Sequence, residues 1–288
     1  MSGTIGFIGL GAMGLPVARC LARAGRRLVA FDTAVDRLAD AAATPGIVAG
    51  VSAAEVVERA DILFVCVASP AAGEAILAPL RKPGLVVCDL STIGPTLARR
   101  LNAELASRGI GYVECPMLGG VDEAAAGRLF LLVSGRDADI DRVADLLPLF
   151  GRAVRRVGGP GAASLFKTVQ NGLGLVQLCA IAEALTVIER AGGDPSAFVE
   201  VAGEGGGMAA TPLFRAKAPL MLQEKPPVKG SLHIGAKDSR LAAALAREVG
   251  IDAGLLQRSA DLFARAMASG LAAEDIAAVR QMIGTADA

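Results

Sequence analysis

The chain contains one histidine, one tyrosine and no tryptophan, and aromatic residues make up only 3% of it. A lone histidine offers no imidazole pair to a metal ion, and no acidic pair has suggestive spacing, so no metal is expected. Lysine plus arginine equals aspartate plus glutamate at 29 each, which leaves no net field to attract nucleic acid or a membrane surface. No basic stretch carries interleaved aromatics, and a nucleic-acid role has no support. The five cysteines, Cys20, Cys66, Cys88, Cys115 and Cys179, are widely spaced and form no C-x-x-C pair. They lie mostly in apolar patterns and are expected to be buried, reduced thiols rather than a disulfide framework or zinc site. The first strand-like segment starts at Thr4, leaving no room for a signal peptide. The longest apolar run, 172–182, is broken by Gln177 and is too short to cross a bilayer. These absences predict a soluble cytoplasmic chain of one or two domains, with no membrane partner.

Glycine is plentiful, at 35 of 288 residues, so glycine spacing needs context before it means anything. The stretch Gly9-Leu10-Gly11-Ala12-Met13-Gly14 has that context. An apolar strand-like run ends at Ile8, and a helix-like segment covers 15–24, which makes this a dinucleotide-binding fingerprint. Gly9 permits the tight turn, Gly11 lets the backbone approach a pyrophosphate, and Gly14 lets helix pack on strand. The helix N-terminus then offers its free N–H groups to the phosphates. A second strand is expected over 27–31, and Asp32 stands at its end. A carboxylate there accepts hydrogen bonds from the adenosine ribose and repels a 2′-phosphate, which favours NAD(H); NADP(H) stays possible because Arg26 and Arg27 are near. The competing reading is a glycine turn in a nucleotide-free domain, with Asp32 capping the next helix.

Apolar strand-length runs follow at 62–67, 85–89, 111–115, 129–134 and 153–157, separated by helix-like segments at 53–59, 71–80, 95–108 and 138–150. Continuous apolar strands alternating with helices predict a mostly parallel sheet covered on both faces, with its ligand crevice at the carboxyl ends of the strands. Near residue 160 the pattern changes. Helical periodicity continues to the end, led by an apolar segment at 162–191 that should be buried between domains or subunits. Further amphipathic segments fall at 195–202, 234–249, 255–268 and 274–283. The expectation is a doubly wound α/β domain over 1–160 and an all-α domain over 161–288.

The strand ends Val67-Ala68-Ser69-Pro70, Asp89-Leu90-Ser91-Thr92 and Cys115-Pro116-Met117-Leu118-Gly119-Gly120 cluster small and hydrogen-bonding residues at the ligand edge. Val67, Ser69 and Thr92 are therefore candidate cofactor contacts. For Ser91 and Thr92, an N-cap ahead of Pro95 explains the residues equally well. Gly119-Gly120 exposes backbone N–H groups suited to a carboxylate, or is an ordinary tight turn. Lys167 lies early in the apolar helix, with Asn171 four residues on and so on the same face. A desolvated lysine has a lowered pKa and can exchange a proton; a lysine running to the surface has the same spacing. Lys237-Asp238, with His233 one turn before, matches ordinary surface charges.

Taken together, these motifs resemble the β-hydroxyacid dehydrogenases, which include 3-hydroxyisobutyrate dehydrogenase and tartronate semialdehyde reductase. The resemblance rests on Gly9–Gly14 with Pro16, Asp89–Thr92 with Pro95, Cys115-Pro116…Gly119-Gly120, Gly161…Lys167…Asn171 and Lys237-Asp238, in order along the whole chain. It implies a Rossmann domain, a long interdomain helix and a helical C-terminal domain forming a homodimer or homotetramer. Lys167 would be the catalytic acid/base and Asn171 its partner. Thr92 and Lys237 would lie near the nicotinamide, and Gly119-Gly120 would receive the substrate carboxylate. Two substrate-binding positions depart from the family pattern: Leu118 stands where a serine usually contributes a hydroxyl to the carboxylate site, and Gly230 where a phenylalanine often lines the substrate pocket. The resemblance implies hydride transfer between NAD(H) and a hydroxy acid, aldehyde or ketone. An imine reductase-like enzyme and a non-catalytic dinucleotide-binding module are the alternatives.

Overall fold

The computed structural model describes residues 3–284. From the N-terminus the elements are β1 (Ile5–Ile8), α1 (Gly14–Arg23), β2 (Leu28–Phe31), α2 (Val35–Ala42), β3 (Ile47–Ala49), α3 (Ala53–Arg59), β4 (Ile62–Val65), α4 (Pro70–Leu77), β5 (Val86–Asp89), α5 (Pro95–Ala106) and β6 (Gly111–Glu114). Then come β7 (Met117–Leu118), α6 (Val121–Ala125), β8 (Leu129–Gly135), α7 (Asp137–Val143), a 3-10 turn at Leu147–Leu149 and β9 (Gly151–Gly158). The helical part comprises α8 (Ala162–Arg190), α9 (Pro195–Glu204), α10 (Pro212–Met221), α11 (Leu232–Glu248), α12 (Gly254–Ala268) and a 3-10 helix at Ile276–Met282.

The strands form one sheet in the order β3-β2-β1-β4-β5-β6-β8-β7, with β9 beside β8. From β3 to β6 every pairing is parallel, while β8 runs antiparallel to β6 and β7. The apolar runs do not alternate because successive side chains enter different cores. Phe7, Phe64, Val86 and Cys88 fill one face with Val17 and Leu21 of α1. Ile8, Leu63, Val65 and Val87 fill the other with Leu101 and Leu105 of α5. This is the doubly wound Rossmann arrangement, with its sheet order reversing direction between β1 and β4, where such folds bind ligands.

The chain divides into two compact units, Met1–Lys167 and Thr168–Ala288. The second is all-helical around Leu178, Leu185, Phe214, Leu262, Phe263 and Val279. Helix α8 has 29 residues. Its length and apolar composition would suffice to cross a membrane, so the apolar stretch here is longer than the interrupted run 172–182 indicated. Leu178, Ala182 and Leu185 are nevertheless buried in the helical core. The same helix leaves Phe166, Val169 and Leu173 half or more exposed within the single chain.

Several elements were not expected. Strands β3 and β7 have only three and two residues, too short for a periodic signal. Helix α10 contains Pro219, which masks its pattern. The expected helix over 138–150 stops at Val143, and Pro148 falls in the 3-10 turn that follows. The last amphipathic segment is a 3-10 helix rather than an α-helix.

Candidate active site

Each glycine of the fingerprint has a separate physical task. Gly9 has φ +97°, and a Cβ there would sit 2.2 Å from the Cys66 carbonyl oxygen. A Cβ on Gly14 would lie 2.0 Å from the Gly9 carbonyl oxygen. Those two residues allow β1, α1 and the end of β4 to meet. Gly11 differs: a Cβ there would meet only the Arg37 guanidinium, at 3.6 Å. No side chain caps the first turn of α1. The loop Gly9, Leu10, Gly11, Ala12, Met13 and Gly14 thus presents open backbone and an uncapped helix start, which fits the pyrophosphate of a dinucleotide.

Asp32 follows β2 and ties the loop in place. Its Oδ2 accepts from Leu10 N–H at 2.6 Å and its Oδ1 from Ala34 N–H at 2.8 Å. It therefore makes a local turn ahead of α2, whose N-cap is Ala34, and braces the glycine loop as well.

The neighbouring strand ends are joined by a buried network. Asp89, 2% exposed, accepts from the Tyr112 hydroxyl at 2.8 Å and from Ser91 N–H at 2.9 Å. Ser91 Oγ in turn accepts from Val67 N–H at 3.0 Å. Burial, aided by the Asp89 charge and hydrogen bond, pushes the Tyr112 phenol well above its ordinary pKa, so it stays protonated as a donor. The N-cap position of α5 is Gly94 rather than Ser91 or Thr92. Ser69 caps α4 by accepting from Ala72 N–H at 3.2 Å. The single tyrosine was not among the expected site residues, and nothing local in its sequence links it to Asp89, 23 positions away.

Lys167 is brought to the Met117–Gly120 segment. Its Nζ donates to the Met117 carbonyl at 2.8 Å. The helix start that carries it is pinned by side chains of the sheet. Glu114, 1% exposed, accepts from Gly161 N–H at 2.5 Å and Ser164 N–H at 3.0 Å, while Ser134 Oγ accepts from Ala163 N–H at 3.0 Å. A buried carboxylate at a helix N-terminus satisfies orphan donors and meets the positive end of the helix dipole. Sequence reading missed Glu114, because its partners lie 47 and 50 residues away.

The bend beyond β7 is partly engaged. Gly119 has φ +128°, a conformation that favours glycine. Gly120 N–H donates to Glu123 Oε2 at 2.8 Å, so one of the two expected carboxylate-binding donors already has an acidic partner. Leu118 is half-buried and pairs with Phe130 in the sheet; it is not among the residues filling either core of the first unit.

Within the helical unit, Asn171 donates through Nδ2 to Asp238 Oδ2 at 2.8 Å. Lys237 Nζ lies 2.9 Å from Asp238 Oδ1, in a charge contact without hydrogen-bond alignment. Lys237 and Asp238 are 8% and 7% exposed, which corrects the expectation of surface charges. Asp238 was not a candidate site residue, yet it fixes the amide on the helix that bears Lys167. Asn171, Asp238 and Gly230 all line a recess of about 230 Å³ in this unit.

Residues 4–159 match the family profile described as the NAD binding domain of 6-phosphogluconate dehydrogenase. Residues 161–283 match the one described as NAD-binding of NADP-dependent 3-hydroxyisobutyrate dehydrogenase. The chain belongs to the β-hydroxyacid dehydrogenase family. It is 30% identical to 2-hydroxy-3-oxopropionate reductase of Escherichia coli, over 97% of this chain and 96% of that protein. It is 31% identical to L-threonate dehydrogenase of Cupriavidus necator, over 97% and 95%. A crystal structure of 3-hydroxyisobutyrate dehydrogenase from Salmonella typhimurium superposes with a TM-score of 0.86 at 27% identity, covering 97% of this chain and 99% of that one. The enzyme is thus an NAD(P)-dependent oxidoreductase of the hydroxyacid dehydrogenase type. An imine reductase from Pseudomonas sp. matches at TM-score 0.61 and 15% identity, a likeness of fold alone.

Proposed function

We propose that this dehydrogenase moves a hydride between NAD(H) and a hydroxy acid or the matching carbonyl compound, with Lys167 exchanging the proton and Asn171 orienting the reacting oxygen. The observation that carries the reading is on α8. Lys167 is held at the Met117 carbonyl and Asn171 is held by Asp238, one helical turn apart. An ammonium donates hydrogen bonds and an amide both donates and accepts them, so both side chains are of types that bind a substrate oxygen. When bound, the nicotinamide supplies the carbon that gives or takes the hydride. Lys167 removes the hydroxyl proton in oxidation and returns one to the carbonyl oxygen in reduction, an effect of ~10²–10⁴-fold in rate. The substrate carboxylate is assigned to the Gly119-Gly120 bend, where it exchanges with Glu123 for the Gly120 N–H.

For the cofactor, the Asp32 carboxylate beside the glycine loop supports NAD(H) over NADP(H). The Arg37 guanidinium near Gly11 is the group that would assist a 2′-phosphate. Thr92 and Lys237 keep the nicotinamide-end assignment implied by the family resemblance. A homodimer or homotetramer is supported by the stripe Phe166, Val169 and Leu173 on α8, whose apolar surface a second copy would cover. The free, mostly buried thiols agree with a cytoplasmic setting. We divide the chain at residue 160, where the turn Gly158-Gly159-Pro160-Gly161 precedes α8.

Lys167→Ala tests the reaction. It should lower kcat by roughly two orders of magnitude or more, with cofactor affinity and Tm near those of wild type. Retention of full turnover by this variant on a substrate that wild type uses well would overturn the assignment.

A further inference from the structure

Helix α8 carries two glycines near Asn171, and they have different explanations. Glycine in a helix interior is less stable than alanine, so each needs a reason. Gly172 has one: a Cβ there would lie 2.5 Å from the Ala242 Cβ. Gly174 has none of that kind, because a Cβ would meet no atom within 4 Å. Gly230 is the same, with open space around a built Cβ and no positive φ to require glycine. Gly159, Gly203 and Gly254 are equally open but lie outside the recess that contains Asn171 and Asp238; Gly174 and Gly230 both line it. Neither backbone conformation nor packing demands them. What they share is the space they leave open.

The other walls of that recess are aliphatic, from Leu175, Leu178, Leu213, Ile234 and Ile276. Its volume is about 230 Å³, whereas a dry aliphatic cavity of roughly 150 Å³ suffices for benzene. Polar groups of substrate-binding type sit in the lining only as Asn171 and its α8 neighbour Gln170, Asp238 on α11, and Ser231 just before α11. Small apolar walls with a few polar groups are the usual composition of a ligand site. The Gly230 loop is also firmly held: Asp275, fully buried, accepts from Lys229 N–H at 2.8 Å and Gly230 N–H at 3.1 Å, and from Lys217 Nζ at 2.7 Å. The opening is therefore built into a braced loop.

We infer that this recess receives an apolar substituent of the substrate, a branched or cyclic group of about four to six carbons, on a hydroxy acid or its carbonyl counterpart. The inference rests on the reading of Asn171 as the residue that orients the reacting oxygen. It adds the class of substrate: an acid with a sizeable hydrocarbon side chain rather than a short polyhydroxylated one.

The test uses 3-hydroxypropionate, 3-hydroxybutyrate and their isobutyl- and benzyl-bearing counterparts, on the full chain with each cofactor. Wild-type kcat/KM should rise along this series, with about fourfold per buried methylene as the upper scale and at least tenfold from methyl to isobutyl. Gly230→Phe should erase the gain for the large acids and spare the small ones. Gly174→Ala should do so more weakly while raising Tm. Calorimetric binding of the isobutyl acid to wild type and Gly230→Phe reads the recess without turnover. If wild type binds and uses all the acids alike, or Gly230→Phe weakens small and large acids equally, the inference is overturned. If the large acid binds in the recess but no acid is oxidised with either cofactor, the reaction reading fails and the recess stands.

Discussion

Glutamine in place of Glu114 removes a single negative charge from beneath the start of α8 and keeps the side-chain shape. In the native protein the carboxylate receives two backbone N–H groups, from Gly161 and Ser164. Glutamine offers one acceptor oxygen and sets an NH₂ group against a backbone donor. The loss of a hydrogen bond to a charged group costs about 1.5–3 kcal/mol, and the loss of a charge at a helix N-terminus up to about 2 kcal/mol. Opposing both is the relief of holding a carboxylate out of water, several kcal/mol per ion. The balance we expect is a destabilisation of about 1–3 kcal/mol. For a unit of this size that lowers Tm by roughly 2–10 °C. The first turns of α8 also set where Lys167 meets the Met117 carbonyl. A shift there should reduce kcat by about tenfold, or ~1.4 kcal/mol of barrier, with the KM for cofactor unchanged. Differential scanning fluorimetry and steady-state rates at saturating cofactor measure both effects. Ser134→Ala, which removes only the neutral acceptor for Ala163 N–H, should show a smaller change in each. Wild-type Tm together with wild-type kcat in Glu114→Gln would refute the claim that this carboxylate anchors the helix.

Asp32→Ser should shift the ratio of kcat/KM values toward NADP(H), since it removes the carboxylate that repels a 2′-phosphate; wild type that already uses NADP(H) as well as NAD(H) would contradict the preference. Leu118→Ser should improve KM for small hydroxy acids by roughly ten- to hundredfold, the equivalent of one hydrogen bond to a charged group, and an unchanged KM would mean that Leu118 points away from substrate. Asp275 gives a pH prediction. Burial pushes its carboxyl up, but Lys217 and the N–H groups of Ala277 and Lys229 outweigh that and hold its pKa below the ordinary value. A folded pKa below the unfolded one gives stability that is complete above about pH 4 and is lost as pH falls through the folded value. Asp275→Asn should cost about 3–5 kcal/mol near neutrality, as breaking a buried ion pair does, and the denaturation midpoint should then depend less on pH in the acid range.

The parts legible in the sequence were those encoded locally. Gly9 and Gly14 lie between an apolar run and a helix, so their part in the turn and in helix packing followed from spacing. The continuous strand runs predicted a sheet with two covered faces, and Phe7 and Ile8 enter opposite cores as expected. The parts that escaped depend on contacts between distant positions. Glu114 is an unremarkable strand residue until α8 is laid over it. Asp238 gives no local sign that it will hold Asn171, 67 residues earlier. Its neighbour Lys237 carries a charge that usually marks a solvated face, and only the fold shows both to be buried. The short strand β7 has no period to detect, although it supplies the carbonyl that meets Lys167.

The fingerprint glycines also separate two kinds of constraint that a list of intolerant positions would merge. At Gly9 and Gly14 a methyl group would collide with backbone oxygen at 2.2 and 2.0 Å, so the folded chain itself forbids replacement. At Gly11 no backbone stands in the way; in the dinucleotide-binding reading of this loop, an added methyl would obstruct the pyrophosphate instead. A mutational scan scored by cellular abundance should therefore reject alanine at positions 9 and 14 and accept it at 11. The same library scored by turnover should reject it at all three. The gap between the two scores at a single glycine measures how much of that residue's identity is imposed by the ligand rather than by the fold.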